Sequence, residues 1–329
     1  MLKKVLILQT AFPGDAILAT ALLESLHNTF PEIELDILVR KGNESLFTNH
    51  TFINKIQIWD KSRNKFQNLL KLVYTLRNEK YDLLINLQRF SSSGLLTILS
   101  GAKETRGFAK NPLSMLFTKR YQHKIGDGQH EIDRNHQLIS DYVVEKSKKP
   151  RLYPSDQNFE AIEKFKHSNY ICIAPGSIWF TKTFPKEKWV SFLMEYSLKF
   201  SKENIYLLGS KAEYDLCESI VNEVSNPKII NLSGKLSFLE SAALMKDAKM
   251  NYVNDSAPMH LASAMNARTT ALYCSTVPAF GFGPLSTDSR IIETAEKLSC
   301  RPCGLHGFKA CPEGHFKCAV NIDVKQMLA

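Results

Sequence analysis

Four short runs, each at the end of an apolar block, hold the residues best suited to chemistry. The first is Thr10-Ala11-Phe12-Pro13-Gly14-Asp15, which leads into a helical pattern at about 16–29. Gly14 suits a tight turn with close backbone approach. Asp15 has two readings: a cap whose carboxylate accepts from exposed helix N–H groups, or a general base that takes a proton from a hydroxyl. The second run ends Ala174-Pro175-Gly176-Ser177, with Lys182 five residues on. Gly176 and Ser177 offer N–H and hydroxyl donors to a phosphate, and Lys182 offers a mobile cation, so a pyrophosphate fits; the plain alternative for Lys182 is a solvated loop lysine. In the third, Gly209-Ser210 precedes Glu213, whose carboxylate either favours a helix start electrostatically or binds ribose hydroxyls. The fourth is Asn254-Asp255-Ser256-Ala257-Pro258-Met259-His260. Pro258 belongs in a first helical turn, where N–H groups and the helix dipole favour anions. Ser256 as a simple cap and His260 as a packed core histidine are the alternatives. Neither a Walker loop nor a G-x-G-x-x-G run is present.

A fifth cluster, Cys300, Cys303, Cys311, His315 and Cys318, occupies residues 300–318. Thiolates and imidazole at these spacings could close a tetrahedral zinc site, which would be structural because protein ligands fill every position. A reduced, packed knuckle and a disulfide formed on oxidation compete with zinc. The total of seven cysteines is odd and the other three are scattered, which points to a reducing compartment.

These runs need strands to end where they begin. Apolar blocks at 5–9, 35–39, 56–59 and 83–86 alternate with helical patterns at about 16–29, 65–79 and 93–99. Residues 119–154 are less regular around a helix expected at about 133–146. Strands are then expected at 170–174, 205–208, 229–231, 250–253 and 269–273, with helices at about 186–200, 211–224, 237–247 and 258–265. The order is α/β with mainly parallel sheets, and the length suits two domains, 1–155 and 156–329. Two doubly wound domains facing a central cleft would gather the runs at the carboxyl ends of their strands.

The opening could pass for a signal peptide, since Lys3 and Lys4 precede Val5-Leu6-Ile7-Leu8 and Ala19-Thr20-Ala21 imitates a cleavage site. Gln9, Pro13, Gly14 and Asp15 interrupt it, so it reads as a strand. The chain has no apolar stretch of bilayer-spanning length, and a cytoplasmic protein is expected. The net charge of +9 is uneven, with 22 Lys+Arg against 15 Asp+Glu up to Lys149. Such a half attracts nucleic acid, an anionic membrane or a phosphorylated substrate. No nucleic-acid motif or basic stripe with interleaved aromatics accompanies it, so nucleic acid is not the expected partner.

Taken in order, Pro13-Gly14-Asp15, Pro175-Gly176-Ser177 with Lys182 and Trp189, Asn231-Leu232-Ser233-Gly234 through Ala243-Leu244, Asn254 to His260, and Cys300 to Cys318 with Gly314-His315 resemble the motifs of the heptosyltransferase family over nearly the whole chain. The resemblance implies a GT-B glycosyltransferase whose first domain holds a lipopolysaccharide-core acceptor and whose second holds an ADP-sugar, with inversion at the anomeric carbon. It implies Asp15 as general base, Ser177 and Lys182 on the diphosphate, Asp255 on the sugar hydroxyls, Ser256 and His260 on the phosphates, and Glu213 on the ribose. A D-x-D metal motif is lacking, so Lys182 and helix dipoles would take the place of a divalent cation, and the chemistry would need no cofactor. An anionic acceptor at the membrane surface suits the basic first half. Gly14, Arg89, Ser91, Ser92 and Lys110, with Ser93, Arg106 and Arg120 nearby, are the residues expected to meet it. A monomer, peripheral on the inner face of the inner membrane, is expected. One departure is Ala257, where the family has glycine; a need for positive φ there would cost about 1 kcal/mol. A nucleotide-sugar epimerase and a non-catalytic sugar-nucleotide or lipopolysaccharide binding protein are the competing readings.

Overall fold

The computed structural model describes residues 2–62 and 64–328. The chain divides into two compact units, Met1–Tyr153 and Pro154–Ala329. In the first unit the elements run β1 (Lys4–Gln9), α1 (Pro13–Thr29), β2 (Glu34–Arg40), β3 (Ile53–Trp59), α2 (Lys65–Glu79), β4 (Leu83–Asn86), α3 (Ser91–Leu99), β5 (Glu104–Phe108), β6 (Lys119–Tyr121) and α4 (Glu131–His136). The second unit continues with α5 (Asp156–Glu163), β7 (Tyr170–Ala174), α6 (Lys186–Lys199), β8 (Asn204–Leu207), α7 (Tyr214–Val224), β9 (Ile229–Asn231), α8 (Phe238–Asp247), β10 (Asn251–Asn254), α9 (Ala257–Ala264), β11 (Thr269–Tyr273), β12 (Ser289–Glu293) and α10 (Lys317–Val320).

The strands form two six-stranded sheets, ordered β3-β2-β1-β4-β5-β6 and β12-β11-β10-β7-β8-β9. Every pairing among the described residues is parallel. Parallel strands covered by helices on both faces must be apolar throughout, and Val5–Leu8, Leu83–Ile85 and Ile171–Ile173 are accordingly buried. In each sheet the strand order reverses once, between β1 and β4 and between β7 and β10. Loops leaving those two pairs diverge to opposite faces and open a crevice at the carboxyl ends of the strands. Asp15 and Arg89 leave one such point, and Ser177 and Asp255 leave the other.

Two sequence expectations need correction. The helix expected at 133–146 is shorter: α4 passes into a single 3-10 turn, Gln137–Ile139, and stops. Its continuation is diverted by tertiary contacts, because Asp141 pairs with Arg106 and the Tyr142 hydroxyl donates to Glu104 at 2.6 Å. The strands β5, β6 and β12 are absent from the sequence pattern. They lie at or next to the sheet edges and carry Arg106, Lys119, Arg120 and Arg290, which breaks the apolar run that marks a central strand.

Away from the strand-end loops, His50 sits in an aromatic cluster, with ring centroids 4.5 Å from Phe52 and 4.6 Å from Tyr153. Neither imidazole nitrogen meets a hydrogen-bonding partner among the described residues. Burial first, and the His27 imidazole second, push its pKa down to about 4. Because the folded-state value lies below the unfolded one, the neutral ring's contribution is complete above about pH 6.5 and is lost as the pH falls towards 4. Urea unfolding is therefore expected to show about 2 kcal/mol less stability at pH 4.5 than at pH 7 from this residue alone. His50→Phe should flatten that part of the pH profile, and an unchanged profile in the variant would remove His50 as its cause.

Candidate functional site

In the first unit, α1 starts at Pro13, three residues earlier than the sequence pattern suggests, because Pro at a first helical position lacks an N–H that would go unpaired there anyway. Phe12 occupies the cap position with extended backbone and makes no side-chain cap bond. Asp15 is thus inside the first turn and is not the cap residue. Gly14 is helical and buried, outside the left-handed region, so its expected turn role is not realised.

The strand-end loops around Asp15 are fixed by buried amides. Gln9 accepts from the Ala11 N–H at 3.2 Å and also from the Gln88 amide, tying the β1 loop to the β4 loop. The Asn43 amide donates to Ala11 O at 3.0 Å. Asn111 donates to the carbonyls of Gln88 and Phe90, both at 3.0 Å, and so holds the Arg89 segment. Arg89 is exposed, while Ser91 and Ser92 open the first turn of α3. Lys110, beyond β5, is exposed and lies 3.2 Å from His123 Nδ1. Arg106 does not join them: it is wholly buried, bonded to Glu104, Leu138 O and Asp141, and serves packing. Ser93 is buried likewise, its hydroxyl donating to Phe90 O, and Arg120 reaches the Met115 sulfur.

One cation has no signal in the sequence. Lys61 Nζ donates to Thr10 Oγ1 at 2.8 Å and stands 4.2 Å from the Trp59 ring centroid, which places a charge on the loop that leads to Asp15. Burial, with Arg40 and Lys65 nearby, pushes its pKa down to about 8. Arg40 lies over the exposed Phe12 ring at 5.5 Å. A lone lysine in a loop carries no motif, so only the sheet order reveals that the β3 loop approaches the β1 loop.

In the second unit the strand-end loops converge more tightly. Asn254, at the end of β10, is fully buried and donates to Pro175 O at 2.8 Å and Gly176 O at 3.1 Å, while its Oδ1 accepts from Phe184 N at 3.0 Å. One amide therefore fixes both ends of the segment that carries Ser177 and Lys182. Lys182 closes a 3-10 turn, Phe180–Lys182, and its Nζ is 2.9 Å from Asp255 Oδ2. With side chains only 15% and 9% exposed, this is not a solvated lysine. The Thr276 hydroxyl donates to the same carboxylate oxygen at 2.6 Å. A buried lysine–carboxylate pair in a crevice is a charge reservoir: an anionic ligand can take over the cation as the carboxylate turns to other donors.

Glu213 belongs to a capping box, its Oε2 accepting from Ser210 N at 2.6 Å and Ser210 Oγ at 2.8 Å. Its other oxygen lies against Gly176, where a Cβ would come within 2.0 Å of it, so the close approach of the two loops depends on that glycine. Gly209 is in the same contact. Gly234, at φ +71°, packs beneath Lys211, so the Asn-Leu-Ser-Gly run that begins at the last residue of β9 needs glycine at its end. Ser256 is the N-cap of α9, but its hydroxyl turns towards Asn254 O at 3.5 Å and leaves the helix N–H groups alone. His260, the fourth residue of α9, closes the helix's first turn and is only 6% exposed. Ala257 has helical backbone and no positive φ, so alanine costs no strain there.

The cysteine-rich segment straps this site. Arg301 donates to Cys274 O at 2.7 Å and Thr276 O at 2.8 Å, and Cys303 N donates to Ser275 O at 2.9 Å. Phe308 N donates to Thr181 Oγ1 at 2.7 Å, beside Lys182. Cys300 Sγ is 3.9 Å from His315 Nε2, and Cys303 Sγ donates to Cys300 O at 3.0 Å. Burial pushes the Cys318 thiol up to about 11. Among the described residues, no three His, Cys, Asp or Glu side chains are arranged to hold a metal ion, Cys311 and its neighbours included. All seven cysteines are free.

Comparison with known proteins agrees with this geometry. Residues 69–306 match the model for Glycosyltransferase family 9 (heptosyltransferase). The chain is 24% identical over 320 residues to Lipopolysaccharide heptosyltransferase 1 of Campylobacter coli, covering 90% of this chain and 91% of that protein. It is 24% identical over 281 residues to Lipopolysaccharide heptosyltransferase 3 of Escherichia coli, covering 80% and 82%. The solved structure of E. coli ADP-heptose LPS heptosyltransferase II superposes with a TM-score of 0.76 at 19% identity, over 99% of this chain and 100% of that one, so the fold is GT-B. The chain belongs to glycosyltransferase family 9, the heptosyltransferases, and is a glycosyltransferase.

Proposed function

We propose that this glycosyltransferase moves a heptose from ADP-heptose to the inner core of lipopolysaccharide, with inversion. The sugar and acceptor are suggested by the names of its relatives, which are lipopolysaccharide heptosyltransferases, and by the ADP-heptose in the name of the E. coli heptosyltransferase II that shares its fold. The observation that carries the reading is the Lys182–Asp255 pair at the reversal point of the second sheet, 2.9 Å apart and shielded from water. In this scheme Asp15 takes the proton from an acceptor hydroxyl as that oxygen attacks the anomeric carbon. The bond from that carbon to the diphosphate breaks, and its electron pair leaves with ADP. A single displacement inverts the centre. Lys182, freed from Asp255, neutralises the charge that builds on the leaving diphosphate, with the Gly176–Ser177 loop and the start of α9 supplying further donors. Asp255 turns to the sugar hydroxyls and Glu213 to the ribose. The first unit takes the acceptor, where Lys61, Arg40, Arg89 and Lys110 supply positive charge for an anionic core. The chain acts as a monomer on the inner face of the inner membrane. Among the described residues, no helix is long and apolar enough to cross that membrane.

Titration calorimetry with ADP, UDP, GDP and CDP, without and then with magnesium, tests the donor assignment. ADP is expected to bind best and without metal. Lys182→Ala should weaken ADP about 10- to 100-fold, the loss of a charge-assisted contact. Preference for UDP would redirect the reading to another sugar or to an epimerase, and binding of none of the four would sink it.

A further inference from the structure

α2 has two apolar faces. Leu69, Leu72 and Leu76 are buried against the first unit's core. Phe66, Leu70 and Tyr74 lie roughly 120° round the helix from them at 100° per residue, and are 81%, 65% and 70% exposed. A four-residue spacing makes them one continuous stripe. The fold does not require it, because the inward leucines already seat the helix. The charged residues on or beside the exposed stripe are both cations, Lys71 and Arg77, and the helix's single acid, Glu79, is bridged to Lys4 and Lys55. The start of α2 is tied to the acceptor side of the unit: Asn68 Nδ2 donates to Asp60 O at 3.1 Å, and the next residue, Lys61, bonds Thr10.

We propose that this face of α2 seats the protein on an anionic lipid bilayer, with Phe66, Leu70 and Tyr74 entering the headgroup boundary and Lys71 and Arg77 meeting lipid phosphates. An aromatic and aliphatic stripe flanked by cations, with no acid beside it, is the composition of helices that lie in a membrane interface. The exclusive positive charge selects an anionic bilayer over a second copy of this chain, which is itself basic at +9. The purpose of the contact rests on the preceding reading, in which the acceptor is anchored in that membrane. Lipid binding itself does not depend on it.

Cosedimentation of the full chain with vesicles of phosphatidylcholine, alone or mixed with phosphatidylglycerol, tests the proposal. Mixed vesicles should capture the protein, and the triple variant Phe66→Ser, Leu70→Ser, Tyr74→Ser should lower the partition coefficient at least about tenfold. Lys71→Gln and Arg77→Gln together should lower it roughly 25-fold on mixed vesicles, about fivefold per cation, with little change on phosphatidylcholine. Unchanged thermal melts and ADP affinity show that the variants are folded. Equal partition of wild type and both variants would overturn the proposal, as would a concentration-dependent dimer that ignores vesicles and dissolves in the serine variant. With acceptor embedded in vesicles the serine variant should transfer sugar slowly, and with a de-acylated, water-soluble acceptor at the wild-type rate. Vesicle binding without transfer to either acceptor would overturn the glycosyl-transfer reading and leave the lipid-docking surface standing.

Discussion

Asp15→Asn should lower kcat by about 10²- to 10⁴-fold, the usual contribution of a positioned general base, while ADP affinity stays within about twofold because the groups proposed to hold ADP are Ser177, Lys182 and Glu213, and Asp15 acts on the acceptor hydroxyl. Asparagine keeps the shape and hydrogen-bonding reach of the side chain and removes only its ability to accept a proton. The fold should tolerate the change. The cap of α1 is Phe12, and an acid in a first helical turn contributes only about 0.3–1 kcal/mol through the dipole. Steady-state transfer measured beside calorimetry of ADP separates the outcomes. Full activity in Asp15→Asn would end the general-base assignment, and loss of ADP binding together with activity would reassign the residue to structure. The pair of results also separates a transferase from a protein that only binds sugar nucleotide, since the latter has no turnover to lose.

The second large effect is expected at Asn254. Its amide bonds Pro175 O, Gly176 O and Phe184 N with no exposure to water, so Asn254→Ala strands three backbone groups in the interior. At about 1–3 kcal/mol for each buried group left unpaired, a destabilisation of about 3 kcal/mol or more follows. For a unit of this size that is roughly a 6–12 °C fall in Tm. ADP binding should fall with it, because the loop carrying Ser177 and the turn carrying Lys182 are both set by that amide. Asn254→Asp is the sharper test. It preserves volume but points a carboxylate oxygen at two carbonyls, so it should be no better than alanine. Native stability in Asn254→Asp would show that the amide's donors do not position the loop. Differential scanning calorimetry and ADP titration of both variants give the answer.

The central strands are legible because parallel strands buried on both faces must be apolar along their length, as at 5–8, 83–85 and 170–174. The edge strands β6 and β12 are not, since solvent on one side permits Lys119, Arg120 and Arg290. Glu213 can be found by position alone, yet its capping box with Ser210 and its contact with Gly176 appear only in three dimensions. Asn254 is visible as part of a motif, but nothing in a linear string tells an amide that faces a ligand from one that clamps a neighbouring loop. Lys61 shows the opposite case. Without periodicity or a motif around it, its role rests on β3 standing two strands from β1 in the sheet. Arg106 misleads for the reason that most arginines are exposed: two carboxylates and a carbonyl make its burial tolerable, and they lie up to 35 residues away.

The strap across Lys182 also fixes a timetable. Thr181 meets Phe308 across 127 residues of chain, and Cys172 of β7 meets Asn251 of β10 across 79. At roughly 5–20 residues per second on the ribosome, the turn that presents Lys182 waits about 6–25 s after its own synthesis before the segment that holds it emerges. The first sheet needs nothing from that later chain and can mature during the interval. A newborn molecule therefore completes its first sheet well before its second, and the turn that carries Lys182 lacks its strap until residues near 308 have cleared the exit tunnel.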